Sequence, residues 1–265
     1  MIIIGELINS TRKAIAAAIE AGDKSTIQKI AKDQAERGAH YIDVNAGSFK
    51  DQEIEYLTWL VEAVQEVVEL PCCLDSPKPA AIEAALKVHK GIPLVNSISL
   101  EKERREKLLP VVAGKDLKVV ALCMGDSGMP RTAEDRMRIA DELVHLLLNN
   151  QVNVENIYVD PLVQPVSTDQ TFGHEFLKAV ERIMSRFPGI HTVCGLSNVS
   201  FGLPLRKFLN RTFMAMAIAK GLDAAILDPL DKPMMAAVLA AEALAGRDKY
   251  CMNFIKSYRG GKIEV

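Results

Sequence analysis

Seven short apolar runs in this chain each end on acids, amides or hydroxyls. The ends hold Glu6 and Asn9; Asp43, Asn45 and Gly47; Asp75 and Ser76; Asn96 and Ser97; Asp160; Ser197 and Asn198; and Asp228. Helix capping explains any one of them, because Asp, Asn and Ser satisfy the free N–H groups of a following helical turn. Capping does not explain YIDVNAG (41–47) or VNSIS (95–99), where the polar side chain lies inside the apolar run. Burying a polar group there costs a few kcal/mol unless something pairs with it. The same ends carry no lysine. A phosphate or sugar acid calls for cations or glycine-rich loops, whereas carboxylates and amides suit a neutral ligand with N–H donors beside an acceptor.

The elements that must position these groups alternate along nearly the whole chain. Strands are expected at 1–7, 41–47, 71–76, 93–99, 118–124, 157–161, 192–197 and 224–229, as near-continuous apolar runs of the kind buried on both faces. Between them, 24–39, 52–70 and 133–150 repeat apolar residues at three- and four-residue steps with charges opposite, which predicts helices. Gly38 closes the first of these as a C-cap. Eight such units predict an α/β fold of the (β/α)₈ TIM-barrel type, with its active face at the C-terminal strand ends. A doubly wound sheet is the other option, but no G-x-G-x-x-G follows any strand. No linker or repeat interrupts the series, so a single domain over 1–265 is expected.

Composition narrows the classes. The 265 residues are 49% hydrophobic and 25% charged, with a net charge of −2 and scattered lysine and arginine, which offers no basic face for nucleic acid. MIIIGELINS lacks the basic region and length of a signal peptide. MMAAVLAAEALA (234–245) contains an acid and is too short for a membrane span. Cysteines 72, 73, 123, 194 and 251 lack metal-type spacing and read as reduced core residues of a cytoplasmic protein. Cys72–Cys73 raises zinc-thiolate chemistry, but adjacent strand residues point to opposite faces. A Schiff-base aldolase needs a lysine at a strand end.

An amidine-like edge meets the demand of the polar ends. A 2-amino-4-oxo-pterin has N–H donors at its amino group and N3, with an acceptor at O4, and a carboxylate takes two such bonds in parallel. The same residues carry a resemblance. NST after the first strand, IDVN, LDS, VNSIS, YVDP and GLSNVS, with NRTFMAMAIAKGLDAAILDP (210–229), resemble the pterin-binding family from Gly5 to about Phe254. Within it, the chain is similar to the methyltetrahydrofolate:corrinoid protein methyltransferases. The resemblance implies that Asp75, Asn96 and Asp160 hold the pterin ring, and that Asn198 sits against N5. It implies that Gly195 and Ser197 shape that wall, with Asn9 and Asp43 near the pterin. It also implies a homodimer, a folate substrate (tetrahydrofolate or 5-methyltetrahydrofolate), and cobalamin carried by a corrinoid protein over the barrel mouth, with no metal bound by this chain.

On this reading the reaction is an in-line displacement at a methyl carbon, with Asn198 giving a hydrogen bond that strengthens as charge changes at N5. Arg206 and Lys207 in GLPLRKF are placed to meet the glutamate tail of a folate, or are simply solvated. Met124 and Phe201 either cover the pterin or fill the core. Two alternatives stand beside the methyltransferase. One is a dihydropteroate synthase-like enzyme, although that group has a Ser-x-Lys element where this chain reads LSNVS. The other is a folate- or corrinoid-protein-binding module without turnover.

Overall fold

A computed structural model of the protein describes residues 1–263, so the last two positions of the expected 1–265 span lie outside the described residues. The strands are β1 (Ile2–Asn9), β2 (Tyr41–Asn45), β3 (Cys72–Asp75), β4 (Leu94–Ile98), β5 (Lys118–Leu122), β6 (Ile157–Asp160), β7 (His191–Thr192) and β8 (Ala224–Leu227). The helices are α1 (Lys13–Glu20), α2 (Lys24–Glu36), α3 (Glu53–Gln65), α4 (Pro79–Val88), α5 (Lys102–Val112), α6 (Ala133–Asn149), α7 (Phe172–Arg186), α8 (Arg206–Ala219), α9 (Lys232–Leu244) and α10 (Met252–Arg259). The strand order is β7-β6-β5-β4-β3-β2-β1-β8, with every paired neighbour parallel. At the seam, Ile226 N–H donates to Cys194 O at 3.0 Å, and Gly195 bridges Ile226. The architecture is the expected (β/α)₈ barrel, nearly closed, and the doubly wound alternative is set aside.

The near-continuous apolar runs are explained by burial on both faces. Ile4, Tyr41, Cys73, Leu94, Val120, Tyr158, Val193 and Ala224 fill the barrel interior. Their neighbours Ile42, Val44, Leu74, Val95, Val119 and Val159 pack outward against the helices. The period of two then sets which later residues of each strand face the lumen. Asp43 and Asn45 share the inward face of Tyr41, Asp75 follows Cys73, Asn96 follows Leu94, and Asp160 follows Tyr158. The polar strand ends therefore crown the lumen above its apolar plug. Gly38 closes the turn after α2 at φ +95°, a conformation that favours glycine.

The seventh run departs from the expected strand over 192–197. The chain is paired as strand only at His191–Thr192, and Leu196–Ser200 form a 3₁₀ turn. Leu196 and Val199 are buried while Ser197 and Asn198 are exposed. An extended chain would send residues three apart to opposite faces, but a helix of three residues per turn stacks them on one. Burial of this apolar pair at a spacing of three, with no ladder beyond the seam, decides the local fold. Cys251 also differs from expectation: it is exposed, while the other four cysteines are buried. Phe201 is exposed too, so it does not fill the core.

Candidate active site

Strand register sets four of the polar ends in one row. Asn9 pairs with Asn45, Asn45 with Asp75, and Asp75 with Asn96 across β1 to β4. Asn45 binds this row together. Its amide N–H donates to Asp75 Oδ2 at 2.9 Å, while its Oδ1 accepts from Ser10 Oγ at 3.1 Å and Gly47 N at 3.0 Å. Asn45 was legible only as a strand end, and its spacing of two from Asp43 in IDVN is the pattern that marks it as lumen-facing. Asn9 turns its Oδ1 to Thr11 N–H at 3.0 Å, so it closes the turn after β1. Asp228 likewise receives Leu230 N–H at 2.8 Å and closes the turn after β8, while Asp231 caps α9.

One layer below the row, Asp43 lies beside Cys73 in the ladder. It is buried and its Oδ1 has no partner. Burial, with the charges of Asp75 and Glu6, drives its carboxyl well above the usual range. Burial also raises Asp75, against the lowering pull of the Asn45 bond and the Arg104 charge. Glu6 is raised by burial despite its ion pair with Arg12 at 2.8 Å. Across the lumen, burial pushes Asp160 up to about 7, opposed by the Leu162 N–H on its Oδ1 at 2.8 Å and by Arg136. A ligand bringing N–H donors to this rim would favour the ionised form of each acid.

The amides complete the rim. The side chains of Asn96 and Asn198 make no hydrogen bond among the described residues, so both are available to a ligand. Asn198 is held on the 3₁₀ turn beside exposed Ser197. A Cβ built on Gly195 would meet nothing within 4 Å, so space opens at that point of the wall. Arg206 donates to Ser197 O at 2.7 Å and Ser200 Oγ at 3.2 Å, and exposed Lys207 lies 3.4 Å from Asp231. Cys72 packs among the outer helices and Cys73 in the lumen, which divides the adjacent thiols between two faces. Burial raises both thiols far above the reactive range.

The chain is similar to known proteins in sequence and in fold. A family model described as pterin binding enzyme matches residues 5–228. A methylcorrinoid:tetrahydrofolate methyltransferase from Eubacterium limosum is 39% identical, over 99% of this chain and 98% of its own length. A methionine synthase from Mycobacterium tuberculosis is 31% identical over 86% of this chain, which spans only 20% of that protein. Among solved structures, a dihydropteroate synthase from Clostridium difficile superposes with a TM-score of 0.73 at 18% identity, covering 92% of this chain and 96% of its own. A dihydropteroate synthase from Coxiella burnetii gives a TM-score of 0.71 at 14% identity, covering 92% and 93%, and at such identities these likenesses show the fold alone. Matched over most of its length by the family model, and over nearly all of it by a methyltransferase, the chain belongs to the pterin-binding enzymes, on their methyltransferase side.

Proposed function

We propose that the protein transfers a methyl group between N5 of tetrahydrofolate and the cobalt of a corrinoid carried by a separate protein. The observation that carries this reading is the rim itself: buried Asp160, half-buried Asp75 and two amides without a partner among the described residues crown one lumen, in a chain 39% identical end to end to a methylcorrinoid:tetrahydrofolate methyltransferase. Asp75 and Asp160 take the N–H groups of the pterin edge by charge-assisted bonds, and Asn96 donates and accepts beside them. Gly195 and Ser197 form the wall that faces N5, with Asp43 beneath the ring and Asn9 at its edge. Asn198 gives N5 a hydrogen bond that strengthens as charge changes there during in-line displacement at the methyl carbon. Lys207 is the cation for the folate tail, because Arg206 beside it is committed to Ser197 O and Ser200 Oγ.

The full-length relative is named for transfer from methylcorrinoid to folate, and we assign that direction here. The same reading makes the working unit a cytoplasmic homodimer of one domain over 1–265, which sedimentation of the purified chain tests. Among the described residues, no helix is long and apolar enough to cross a membrane. The deciding assay mixes the chain with tetrahydrofolate and methylcobalamin or a methylated corrinoid protein. Methyltetrahydrofolate should accumulate. Folate binding without turnover in either direction would instead mark a binding module, and pteroate formation from a pterin precursor would mark a synthase.

A further inference from the structure

Three arginines tie down the segments that carry Asp75 and Asn96, Asp160, and Asn198, through backbone oxygen atoms more than through carboxylates. Arg104 on α5 donates to Ser97 O at 2.5 Å, Pro77 O at 2.6 Å and Ser76 O at 2.9 Å. These oxygens lie just past Asp75 on β3 and Asn96 on β4, so one guanidinium joins both strand ends. Arg136 on α6 donates to Pro161 O at 2.7 Å, Leu162 O at 3.3 Å and Thr132 O at 3.1 Å. The first two oxygens follow Asp160 directly. Arg206, at the start of α8, bonds Ser197 O at 2.7 Å and Ser200 Oγ at 3.2 Å, on either side of Asn198. None of the three forms an ion pair among the described residues, and Arg136 is fully buried.

Only arginine offers a planar fork of donors able to bridge several carbonyl groups at once while keeping its charge. We infer that Arg104, Arg136 and Arg206 are positioning residues that fix the backbone of the rim, each serving one part of the site. Arg104 holds the Asp75–Asn96 side, Arg136 holds Asp160, and Arg206 holds Asn198. The ligand consequences rest on the proposed folate reading; the backbone consequences do not. Arg247 supplies the contrast within the same molecule. It donates to Leu222 O at 2.7 Å and Ile218 O at 2.5 Å, between α8 and β8 at the opposite end of the barrel.

The test uses Arg104→Ala, Arg206→Ala, Arg136→Lys and the control Arg247→Ala, each in the full chain. Hydrogen exchange is followed by mass spectrometry, with folate binding by calorimetry and turnover alongside. Amide exchange should quicken at Ser76, Lys78 and 97–99 for Arg104→Ala, at 162–164 for Arg136→Lys and at 196–200 for Arg206→Ala, each leaving the other two segments unchanged. Arg104→Ala should weaken tetrahydrofolate binding about tenfold, the scale of one charge-assisted bond, whereas Arg206→Ala should lower kcat about tenfold with the folate Kd little altered. In the double variant with Asn198→Ala, Arg206→Ala should cause no further loss of rate, because it acts through that amide. Arg247→Ala should leave the rim exchange, Kd and kcat as they were. Additive losses with Asn198→Ala, or exchange that rises equally in all rim segments, overturn the inference. Should Arg136→Lys fail to fold, the other two variants decide it. If the parent chain binds no folate, the functional reading fails and the exchange pattern alone still decides the clamps.

Discussion

Asp160 is buried at its strand end, where its carboxylate accepts Leu162 N–H. Burial raises its carboxyl to about 7 from an ordinary 3.8. The folded chain therefore holds this proton more tightly than the unfolded chain does. Its contribution to stability is complete below about pH 4 and is lost as pH rises through about 7; burial gives Asp43, Asp75 and Glu6 the same sign. Ligand binding runs the other way, because accepting N–H groups needs the ionised form. Tetrahydrofolate affinity should thus fall about tenfold between pH 8 and pH 6, and Asp160→Asn should remove that dependence. Calorimetric titration at several pH values checks it, and an unchanged profile in the parent chain would refute the assignment of Asp160. For Asn198→Ala the expected loss is about 2–4 kcal/mol of transition-state stabilisation with folate binding largely kept. Equal losses in kcat/KM and in affinity, with kcat unchanged, would show binding alone. Residue types at the strand ends were readable from the sequence; their ionisation was not, since it depends on neighbours such as Glu6 and Asp75 that only the barrel brings beside Asp43.

At the scale of elements, seven of the eight expected strands formed within a few residues of their apolar runs, because continuous burial writes itself into composition. The 3₁₀ turn carrying Asn198 was hidden by that same property: β-branched residues lead into it, and the spacing of Leu196 from Val199 is one short step in a long apolar context. A second local feature was equally silent. The β1–β2 register shifts between Gly5 and Ile8, and there Gln34 Oε1 on α2 receives Leu7 N–H at 3.1 Å. A Cβ on Gly5 would collide with that oxygen. Gln34 is buried, so it has little room to yield. Gly5→Ala should cost about 1–3 kcal/mol through overpacking, and more of its effect should fall on Glu6 and Asn9 than on β5 or β6. Chemical denaturation with the calorimetric Kd measures both parts; an unaltered midpoint would mean that α2 moves away freely.

The whole molecule is a ring of strands with one thin join. Every neighbouring pair shares a ladder except β7 and β8, where the Ile226–Cys194 bond is supplemented by side chains. Asp223 provides that supplement. One carboxylate oxygen accepts Thr192 N–H at 2.8 Å and the other meets His191 Nδ1 at 2.6 Å. The acid thus replaces a missing rung at the start of the seam, and His191 stacks on Tyr158 at 4.5 Å to anchor the adjoining strand to the lumen. Removing the carboxylate in Asp223→Ala leaves the buried Thr192 without its acceptor, a loss of about 1–3 kcal/mol. The damage should not remain local, because the seam leads directly into the turn that holds Asn198. Exchange should quicken first at 192–194 and 226, then at 196–200, while the ladders of β2 to β5 stay protected until global unfolding. Folate bound across the mouth should slow the exchange at 196–200, joining the two sides that the sheet itself connects so sparingly. Uniform exchange around the ring in Asp223→Ala would show that the helices, rather than this acid, hold the barrel shut.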